Sequence, residues 1–394
     1  MPEIKLRSLH KRMTRELDCL REQSRLRGLD IPGGLDLCSN DYLGLATDVR
    51  FKRAVIDAVS RGAAVGSTGS RLLSGNSREW VDLESMFADF AGTEAALYFG
   101  SGYAANVGLL SSVLGPGDLV FSDALNHASL IDGIRLSRAR KVIYPHCDLA
   151  FLETALRKHE GGEGVRIIVT ESVFSMEGDI APINSLIDLA RRYDAELVVD
   201  EAHATGVCGP QGRGITADLG VEHEMLAIVH TCGKALASAG AFVCGGSTLK
   251  EYLVNRARTF VFSTAMPPYL AGQIHAALNL AREADGERTQ LHKIASALRE
   301  GLASAGLNCG MSSTHIVPVL LGTNEMALHV ASELQREGFG LKAIRPPTVP
   351  LGTARIRISV TSRITMEDIH RLVAATAAAC KSQPRGTPAR ALHA

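Results

Sequence analysis

Three short apolar segments of this 394-residue chain each run into polar residues that could do chemistry. Those residues are Glu171 and Ser175, then Asp200 and His203, and then Thr231 and Lys234. If the segments are neighbouring parallel strands, their carboxyl ends lie along one edge of the sheet, where open α/β sheets bind ligands. The sequence therefore predicts one ligand site to which all three segments contribute.

Lys234 lies among small residues, with Thr231 and Gly233 before it and the segment ALASAG (235–240) after it. A lysine confined in such a loop can lose its water, which lowers its pKa and favours formation of an imine with a carbonyl group. Taken alone, a glycine–lysine pair after a strand is more often an ordinary surface lysine. Lys234 is therefore a candidate nucleophile only in combination with the other strand ends.

Asp200 ends the apolar run LVVD (197–200), where a carboxylate is costly to bury without a cationic partner. A protonated pyridine nitrogen would be such a partner, and an acid beside it keeps the ring an effective electron sink. His203 could reach the phenolic oxygen of the same ring, although a lone histidine is more often structural. Taken alone, Asp200 is equally well explained as a helix N-cap. Together with Lys234, these residues predict an enzyme that uses pyridoxal 5'-phosphate.

A glycine-rich turn follows another apolar run, AALYF (95–99). The turn consists of Gly100, Ser101, Gly102 and Tyr103. Because a helical pattern follows, its backbone N–H groups could approach a phosphate at the helix N-terminus. The turn also satisfies the G-x-G-x-x-A fingerprint of dinucleotide-binding proteins, so a nicotinamide dehydrogenase is an alternative. Against that alternative, the turn does not open the chain, and Asp200 and Lys234 would have no role.

Two further segments are candidates for the same site. His127 follows another apolar run and could stack on a flat cofactor ring, although a histidine at a helix start is the more common interpretation. The segment GSTGSRLLSG (66–75) is too irregular for a helix or a strand. It is predicted to be an ordered active-site loop or, equally well, an ordinary flexible loop.

The elements that must position these residues follow from the hydrophobic pattern. Short apolar runs separated by helix-length segments predict an α/β fold with a mostly parallel sheet. The expected strands lie at 95–99, 119–123, 141–145, 166–170, 195–200, 227–231 and 241–245. A second, α+β unit is expected after the helical stretch 268–305, with strands at 316–321 and 354–360 and helices near 325–337 and 366–380.

At 394 residues the chain exceeds the size at which one core keeps growing, so a large domain and a smaller C-terminal domain are expected. The N-terminal helix and arm would occupy residues 1–45, with a charged amphipathic helix at 5–28. The predicted limits are 46–270 for the large domain, 271–381 for the small domain and 382–394 for a disordered tail. No internal repeat is apparent.

Composition excludes several classes of function. Lys+Arg and Asp+Glu number 42 each, so zero formal net charge gives no reason to expect nucleic acid or an anionic membrane as partner. The eight cysteines are scattered without zinc-type spacing, so no metal site is expected and a reduced protein is predicted. No signal peptide and no membrane-length apolar run is apparent, which favours a soluble, cytoplasmic protein.

Taken together, the motifs of residues 20–380 resemble those of the α-oxoamine synthases, a family of fold-type I pyridoxal-phosphate enzymes. The motifs that carry the resemblance are SNDYLGL (39–45), GSTGSRLLSG (66–75), NHASLIDG (126–133), ESVFSMEGDIAP (171–182), DEAHATGVCGPQGRG (200–214), TCGK (231–234) and RPPTVPLGTARIRI (345–358). The resemblance implies a large domain with a mostly parallel sheet plus a smaller α+β domain. The last motif indicates the branch of the family that condenses L-alanine with a pimeloyl thioester.

The resemblance also implies roles for individual residues. Those implied to act on the cofactor ring are Lys234, which binds the cofactor and moves the Cα proton, Asp200 at the pyridine nitrogen, His127 stacked on the ring, and His203 and Ser175 near the phenolic oxygen. Those implied to hold the cofactor or its phosphate are Ser101, Gly102, Tyr103 and Thr231, with Ser263 and Thr264 reaching the phosphate from the partner in a homodimer. Those implied to hold substrates are Asn40 and Arg357 at the amino-acid carboxylate and Arg21 and Thr348 near the acyl chain.

Side chains alternate along a strand, so Arg355 and Arg357 of the segment ARIRI are predicted to face the same way. Since the resemblance selects Arg357 as the carboxylate clamp, Arg355 would be structural or lie near the rim of the cleft.

The implied reaction releases carbon dioxide and the thiol carrier, which would be coenzyme A or acyl carrier protein. A sister synthase that uses glycine, such as glycine C-acetyltransferase, and an aminotransferase remain alternatives within the same cofactor class. A catalytically inactive scaffold is a third alternative. The presence of Lys234, Asp200 and His203 together argues against it.

Overall fold

The computed structural model describes residues 8–30, 33–61 and 64–382. Of the predicted tail 382–394, all residues except Ser382 lie outside this part, as do residues 5–7 of the predicted N-terminal helix. Contacts divide the chain into two compact units. The larger comprises residues 40–292 with 361–363, and the smaller comprises the described residues up to 39, residues 293–360 and residues 364–382. The domain limits proposed from the sequence stay a prediction.

Strands and helices alternate through most of the described residues. In chain order, the strands are β1 (Leu35–Asp36), β2 (Ala95–Phe99), β3 (Leu119–Asp123), β4 (Arg140–Tyr144), β5 (Arg166–Glu171), β6 (Glu196–Asp200), β7 (Ala227–Thr231), β8 (Ala241–Gly245), β9 (Ile316–Gly322), β10 (Phe339–Gly340), β11 (Ala343–Ile344) and β12 (Ala354–Ser359). The helices are α1 (Ser8–Glu22), α2 (Val49–Arg61), α3 (Arg78–Ala91), α4 (Gly102–Val113), α5 (Ala128–Ser137), α6 (Leu149–Lys158), α7 (Ile183–Arg192), α8 (Ile215–Leu219), α9 (Ser247–Arg256), α10 (Arg258–Val261), α11 (Pro268–Arg282), α12 (Asp285–Ser304), α13 (Asn324–Arg336) and α14 (Met366–Lys381).

Seven of the described strands form the sheet of the larger unit, in the order β2-β8-β7-β6-β5-β3-β4. The pairs from β7 across to β4 are all parallel, whereas β8 runs antiparallel to both β7 and β2. The predicted α/β fold with a mostly parallel sheet is thus confirmed. Each predicted strand of this sheet is present, and its ends differ from the expected ones by at most one residue.

The centre of this sheet is covered on both faces, which explains why its strands are apolar almost throughout. Every residue of β3, β7 and β8 is buried. Val120, Val169, Val198 and Val229 belong to one continuous core, against which α4 packs Leu109. Since β-branched side chains fit a pleated surface covered on both faces, these runs form strands despite their shortness.

The smaller unit contains an antiparallel sheet in the order β11-β12-β9 and a short parallel pair between β1 and β10. The α13 and α14 helices begin at threonine N-caps, Thr323 and Thr365, and the second of these forms a capping box with Asp368. These elements agree with the expected α+β unit at the C-terminal end of the chain.

The N-terminal helix ends earlier than predicted, because α1 stops at Glu22 rather than near residue 28. The chain turns at Ser24, whose φ of 54° is left-handed, and the N–H of Arg25 donates back to the carbonyl of Leu20. Residues beyond this turn cannot continue the helical hydrogen bonds. No helix in the described ranges has the length and apolarity needed to cross a membrane.

Candidate active site

The glycine-rich turn connects β2 to α4 in the larger unit. Ser101 is the N-cap of α4, and its Oγ accepts a 3.0 Å hydrogen bond from the N–H of Ala104. A Cβ on Gly102 would lie only 2.7 Å from Cγ2 of Thr231, so the close approach of these two elements requires glycine. The turn therefore places the N-terminal end of α4, which favours anions, beside the end of β7.

The carboxyl ends of β5 and β6 place two acids side by side. Glu171 and Asp200 are register partners in the parallel ladder, and they are 3% and 4% exposed. Burial raises the pKa of Glu171 to about 8, and the charge of Asp200 adds to the effect, while Lys234 opposes it. A strand-end carboxylate with a neighbouring lysine is the arrangement that the sequence predicts for this edge of the sheet.

A chain of hydrogen bonds joins Asp200 to His127. Asn106, on α4, donates from Nδ2 to Oδ2 of Asp200 at 2.7 Å and to Oγ of Ser129 at 2.9 Å. The Oγ of Ser129 lies 2.7 Å from Nδ1 of His127, which also accepts from the Ser129 N–H at 3.2 Å. Burial lowers the pKa of His127, and the charge of Lys234 lowers it further, while Asp200 acts in the opposite direction. A neutral His127 with Nδ1 as acceptor suits stacking on a ring.

His203 lies in a tight turn after β6, and the neighbouring Glu201 anchors that turn. The Glu201 carboxylate is fully buried and accepts from Ser172 Oγ at 2.7 Å, from Thr216 N–H at 2.7 Å and from Ile215 N–H at 3.1 Å. The Nδ1 of His203 lies 2.6 Å from the hydroxyl of Tyr42. His203 is therefore positioned in two ways: the turn fixes its backbone, and the contact with Tyr42 fixes its ring.

Lys234 follows β7 in a loop that folds back on itself. The Ala237 N–H donates to the Lys234 carbonyl at 2.8 Å, and the Ser238 N–H donates to the Cys232 carbonyl at 2.8 Å. Ala237 has a φ of 44°, a left-handed conformation that glycine adopts with less strain. These contacts hold the half-buried lysine at the edge of the sheet.

The strand ends open into one cavity of about 310 Å³ in the larger unit. The lining includes the following residues that the sequence predicts for the site: Asn40, Ser101, Gly102, Tyr103, His127, Asp200, His203, Thr231 and Lys234. The structure therefore brings together nine of the predicted site residues from five separate segments of the sequence. Asn106, Ser129, Glu171, Ala202, Gly233 and Gly240 complete the lining.

The residues of this cavity fit pyridoxal phosphate. A helix N-terminus with Ser101 can hold a phosphate, an aspartate can pair with a pyridine nitrogen, and a lysine can bond to the aldehyde carbon. Within the described part of the chain, two buried lining atoms, Oδ1 of Asn106 and Oε1 of Glu171, lack hydrogen-bond partners. Such atoms are rare in folded proteins unless a ligand or water supplies the partner.

Three predicted cofactor residues lie outside the lining of this cavity. Ser175 follows Phe174 in the turn after β5, and its backbone N–H faces the Glu171 carboxyl. Ser263 and Thr264 are exposed and line a separate cavity of about 190 Å³ that also contains Ser101. Thr264 forms an isolated antiparallel bridge with Ser70, so the loop at 66–75 is joined to the segment that carries Ser263 and Thr264.

The predicted substrate residues Arg21, Thr348 and Arg357 belong to the smaller unit. Arg21 forms an ion pair with Asp18 at 2.5 Å on the exposed face of α1. The hydroxyl of Thr348 accepts a 2.9 Å hydrogen bond from Nη2 of Arg27. Arg357 is 8% exposed and donates to Ser359 Oγ at 2.5 Å.

Arg355, predicted to be structural or to lie near the rim of the cleft, bonds to the backbone just before its own strand. It is 5% exposed, and its Nε donates to the carbonyl of Thr353 at 3.0 Å. The register shift of β12 lies between Ala354 and Arg355, and the pairing with β9 is regular from Arg355 to Ser359, so the alternation that predicts a shared face for Arg355 and Arg357 is uninterrupted.

Sequence reasoning does not assign Asn106, Ser129 or Tyr42 to the site, and it identifies Glu171 only as a strand end. Tyr42 and Ser129 stand within the family motifs, two residues after Asn40 and two after His127. Asn106 has no such signal beyond a polar residue in the apolar helix pattern that follows the glycine-rich turn. A buried amide in an otherwise apolar helix is costly without partners, which is the clue that could have identified it.

Comparisons with known proteins agree with this arrangement. Residues 32–375 match the sequence family described as aminotransferase class I and II. An 8-amino-7-oxononanoate synthase from Geobacter sulfurreducens is 45% identical over 377 residues, which cover 92% of this chain and 96% of that protein. An 8-amino-7-oxononanoate synthase from Azoarcus sp. is 47% identical over 339 residues, covering 86% of each chain.

A solved structure has a similar fold over nearly the whole chain. A serine palmitoyltransferase variant from S. paucimobilis, with a PLP–myriocin adduct bound, matches with a TM-score of 0.87 at 28% identity. The match covers 95% of this chain and 98% of that one. With a lysine, an aspartate and two histidines gathered in one cavity, this chain belongs to the α-oxoamine synthase family of fold-type I enzymes, whose cofactor is pyridoxal 5'-phosphate.

Proposed function

We propose that this chain condenses L-alanine with a pimeloyl thioester to form 8-amino-7-oxononanoate, carbon dioxide and the free thiol, a step of biotin biosynthesis. The observation that carries the proposal is the match to 8-amino-7-oxononanoate synthases over almost the full length of both chains. The motif at 345–358 supports the same branch of the family. Pyridoxal phosphate supplies the electron sink that stabilises negative charge at the Cα of the amino acid.

The residues of the larger unit would divide the work as follows. Lys234 would hold the cofactor through its aldehyde carbon, and its Nζ, as a free amine, would be the base that takes the proton from Cα of the amino acid. Asp200, oriented by Asn106, would hold the pyridine nitrogen protonated. His127 would stack on the ring, and His203 with Ser175 would lie near its phenolic oxygen.

The phosphate would lie at the N-terminal end of α4, where Ser101, Gly102, Tyr103 and Thr231 could donate to it. Asn40 and Arg357 would bind the carboxylate of L-alanine, since a guanidinium can hold both oxygens at once. Arg21 and Thr348 would lie near the acyl chain. The hydrogen bond between Thr348 and Arg27 makes Arg27 an additional basic group beside that predicted position.

A homodimer with shared active sites is the second part of the proposal. Ser263 and Thr264, predicted to reach the phosphate of the partner subunit, are exposed. Phe262 precedes Ser263 directly and is 71% exposed, and Leu73, in the loop that Ser70 bridges to Thr264, is 83% exposed. Large exposed apolar side chains are common in protein interfaces.

A product assay tests the reaction. The purified enzyme is incubated with L-alanine, glycine or L-serine and with acetyl, pimeloyl or palmitoyl thioesters of coenzyme A, and pimeloyl-acyl carrier protein is tested separately. The expected result is 8-amino-7-oxononanoate with equal amounts of carbon dioxide and thiol, from L-alanine and a pimeloyl thioester. A preference for glycine with the acetyl thioester would instead assign the chain to a sister synthase. Comparison of the two pimeloyl carriers identifies the thioester used.

A further inference from the structure

Glu171 is a buried acid of the cavity for which none of the steps above has a use. It ends β5 directly opposite Asp200, is 3% exposed, and lines the same cavity as Asp200, His127 and Lys234. Its Oε1 lacks a hydrogen-bond partner among the described residues. A buried carboxyl with an unsatisfied oxygen costs stability, so its presence beside a ligand site calls for a function.

The groups around Glu171 come from the elements that meet at this edge of the sheet. Asp200 ends the neighbouring strand β6, and Lys234 follows β7. The backbone N–H groups of His127, after β3, and of Ser175, after β5 itself, interact with the carboxyl. Glu171 thus lies beside the two loops that carry the predicted ring-stacking histidine and the predicted phenolic-oxygen serine.

Glu201 provides a contrast only one residue beyond Asp200. It is buried like Glu171, but its carboxylate accepts three hydrogen bonds, from Ser172, Ile215 and Thr216. Three donors of this kind are what a structural carboxylate requires. Glu171 borders the cavity instead, and the backbone N–H groups of the two cofactor loops lie close enough to interact with its carboxyl.

We propose that Glu171 is a positioning residue of the cofactor site: its buried carboxyl, opposite Asp200 at the edge of the cavity, orients the His127 and Ser175 loops and leaves the negative charge of this strand edge to Asp200. The inference rests on the proposed function only in so far as the cavity holds pyridoxal phosphate. It explains why a second acid stands beside Asp200 without competing for the cationic groups of the cavity.

Burial raises the pKa of Glu171 to about 8, so the folded protein keeps a proton that the unfolded chain releases near the ordinary value of 4.5. A raised carboxyl pKa contributes stability that is fully present below the unfolded pKa and is lost as the pH rises through the folded one. Above about pH 8, Glu171 would place a second negative charge beside Asp200 and Lys234. Wild type should therefore lose stability as the pH rises from 4.5 to about 8, and a variant that cannot ionise at position 171 should not show this loss.

The first experiment measures the melting temperature of the cofactor-free protein from about pH 5 to 8.5, for wild type, Glu171→Gln and Glu201→Gln. Glu171→Gln should melt close to wild type at the acidic end and above it at the alkaline end, because glutamine cannot ionise. Glu201→Gln, the matched control, should melt below wild type at the acidic end, since the amide replaces an acceptor of three donors. Because burial also raises the pKa of Glu201, this deficit should shrink toward the alkaline end, and the sign of the difference at acidic pH separates the two variants. A constant difference between wild type and Glu171→Gln at all pH values would overturn the inference.

The second experiment measures binding of pyridoxal phosphate to the same proteins and to Glu171→Ala at neutral pH. Glutamine retains an oxygen acceptor for the two backbone N–H groups, so Glu171→Gln should bind within about threefold of wild type. Glu171→Ala removes the acceptor and should weaken binding roughly 10- to 100-fold. Wild-type affinity in Glu171→Ala would overturn the positioning role. If instead the wild-type protein does not bind the cofactor, the proposed function fails, while the melting experiment still tests Glu171.

Discussion

The side-chain amide of Asn106 donates a 2.7 Å hydrogen bond to Oδ2 of Asp200, which links helix α4 to the end of strand β6. The same amide nitrogen also donates to Ser129 Oγ, which in turn contacts His127. The orientation of the predicted pyridine partner is thereby coupled to that of the predicted stacking histidine. Rotation of the Asp200 or the His127 side chain would break a hydrogen bond of this network.

Replacing Asn106 by leucine should weaken cofactor binding while preserving the fold. A hydrogen bond to a charged group contributes about 1.5–3 kcal/mol, so the Kd for pyridoxal phosphate should rise roughly 10- to 150-fold. Fluorescence titration of the cofactor-free protein measures this change, and its circular dichroism spectrum serves as the control. Unchanged affinity would contradict the coupling of Asn106 to the cofactor site.

Lys234→Ala should abolish turnover and remove the bond between protein and cofactor that borohydride reduces. The matched control is Lys250→Ala, because Lys250 pairs with Glu84 at 2.9 Å and does not line the cavity. Mass spectrometry after borohydride treatment should detect a cofactor adduct in the control and none in Lys234→Ala. Turnover by Lys234→Ala near the wild-type rate would disprove the assignment of the lysine.

The two arginines of β12 should respond differently to substitution by lysine. Losing a bidentate contact of Arg357 with the carboxylate of L-alanine should cost roughly 2–5 kcal/mol, about 30- to several-thousand-fold in kcat/KM for alanine. The KM for the thioester should change much less. Arg355→Lys should mainly reduce stability, because Arg355 is buried and its Nε bonds a backbone carbonyl. If Arg355→Lys lost the use of alanine and Arg357→Lys kept it, Arg355 would be the residue that binds the carboxylate.

Shared active sites predict complementation between two inactive chains. A Lys234→Ala chain and a Thr264→Ala chain should together form heterodimers with one intact site, giving about a quarter of wild-type activity at full exchange. Native mass spectrometry verifies the exchange. Verified heterodimers without activity would exclude the crossing of Thr264 into the partner's site.

His146 should make stability depend on pH in the alkaline range. Burial by itself lowers its pKa, but hydrogen bonds to Asp123 at 3.0 Å and to Asp179 at 2.9 Å outweigh burial and raise the pKa to about 12. Because the pKa of His146 is raised in the folded protein, its protonated ring contributes stability. This contribution is fully present below the ordinary pKa of 6.5 and is lost as the pH rises through about 12.

Urea unfolding of wild type and His146→Gln at about pH 6, 7.5 and 9 measures this effect. The advantage of wild type should be largest at the lowest pH and should decrease steadily toward the highest. An advantage independent of pH would mean that His146 remains neutral between the two carboxylates.

The sequence alone was sufficient for nine of the twelve described strands and for three of the strand ends that form the cavity, while the two-residue strands β1, β10 and β11 were not predicted. Short apolar runs rich in β-branched residues form strands because of local propensity and burial, and these signals are readable without a structure. The lysine, the aspartate and the glycine-rich turn are each defined by their immediate neighbours. The family motifs likewise depend on consecutive residues, so the cofactor class was predictable.

Only the tertiary structure decided which polar groups support those residues. Asn106 and Asp200 are 94 positions apart, and their hydrogen bond exists because α4 packs against the sheet. The sequence identifies Glu171 as a polar strand end, whereas its position directly opposite Asp200 follows only from the parallel register of β5 and β6. Contacts between distant segments are set by packing, and packing is not encoded in any local window of the chain.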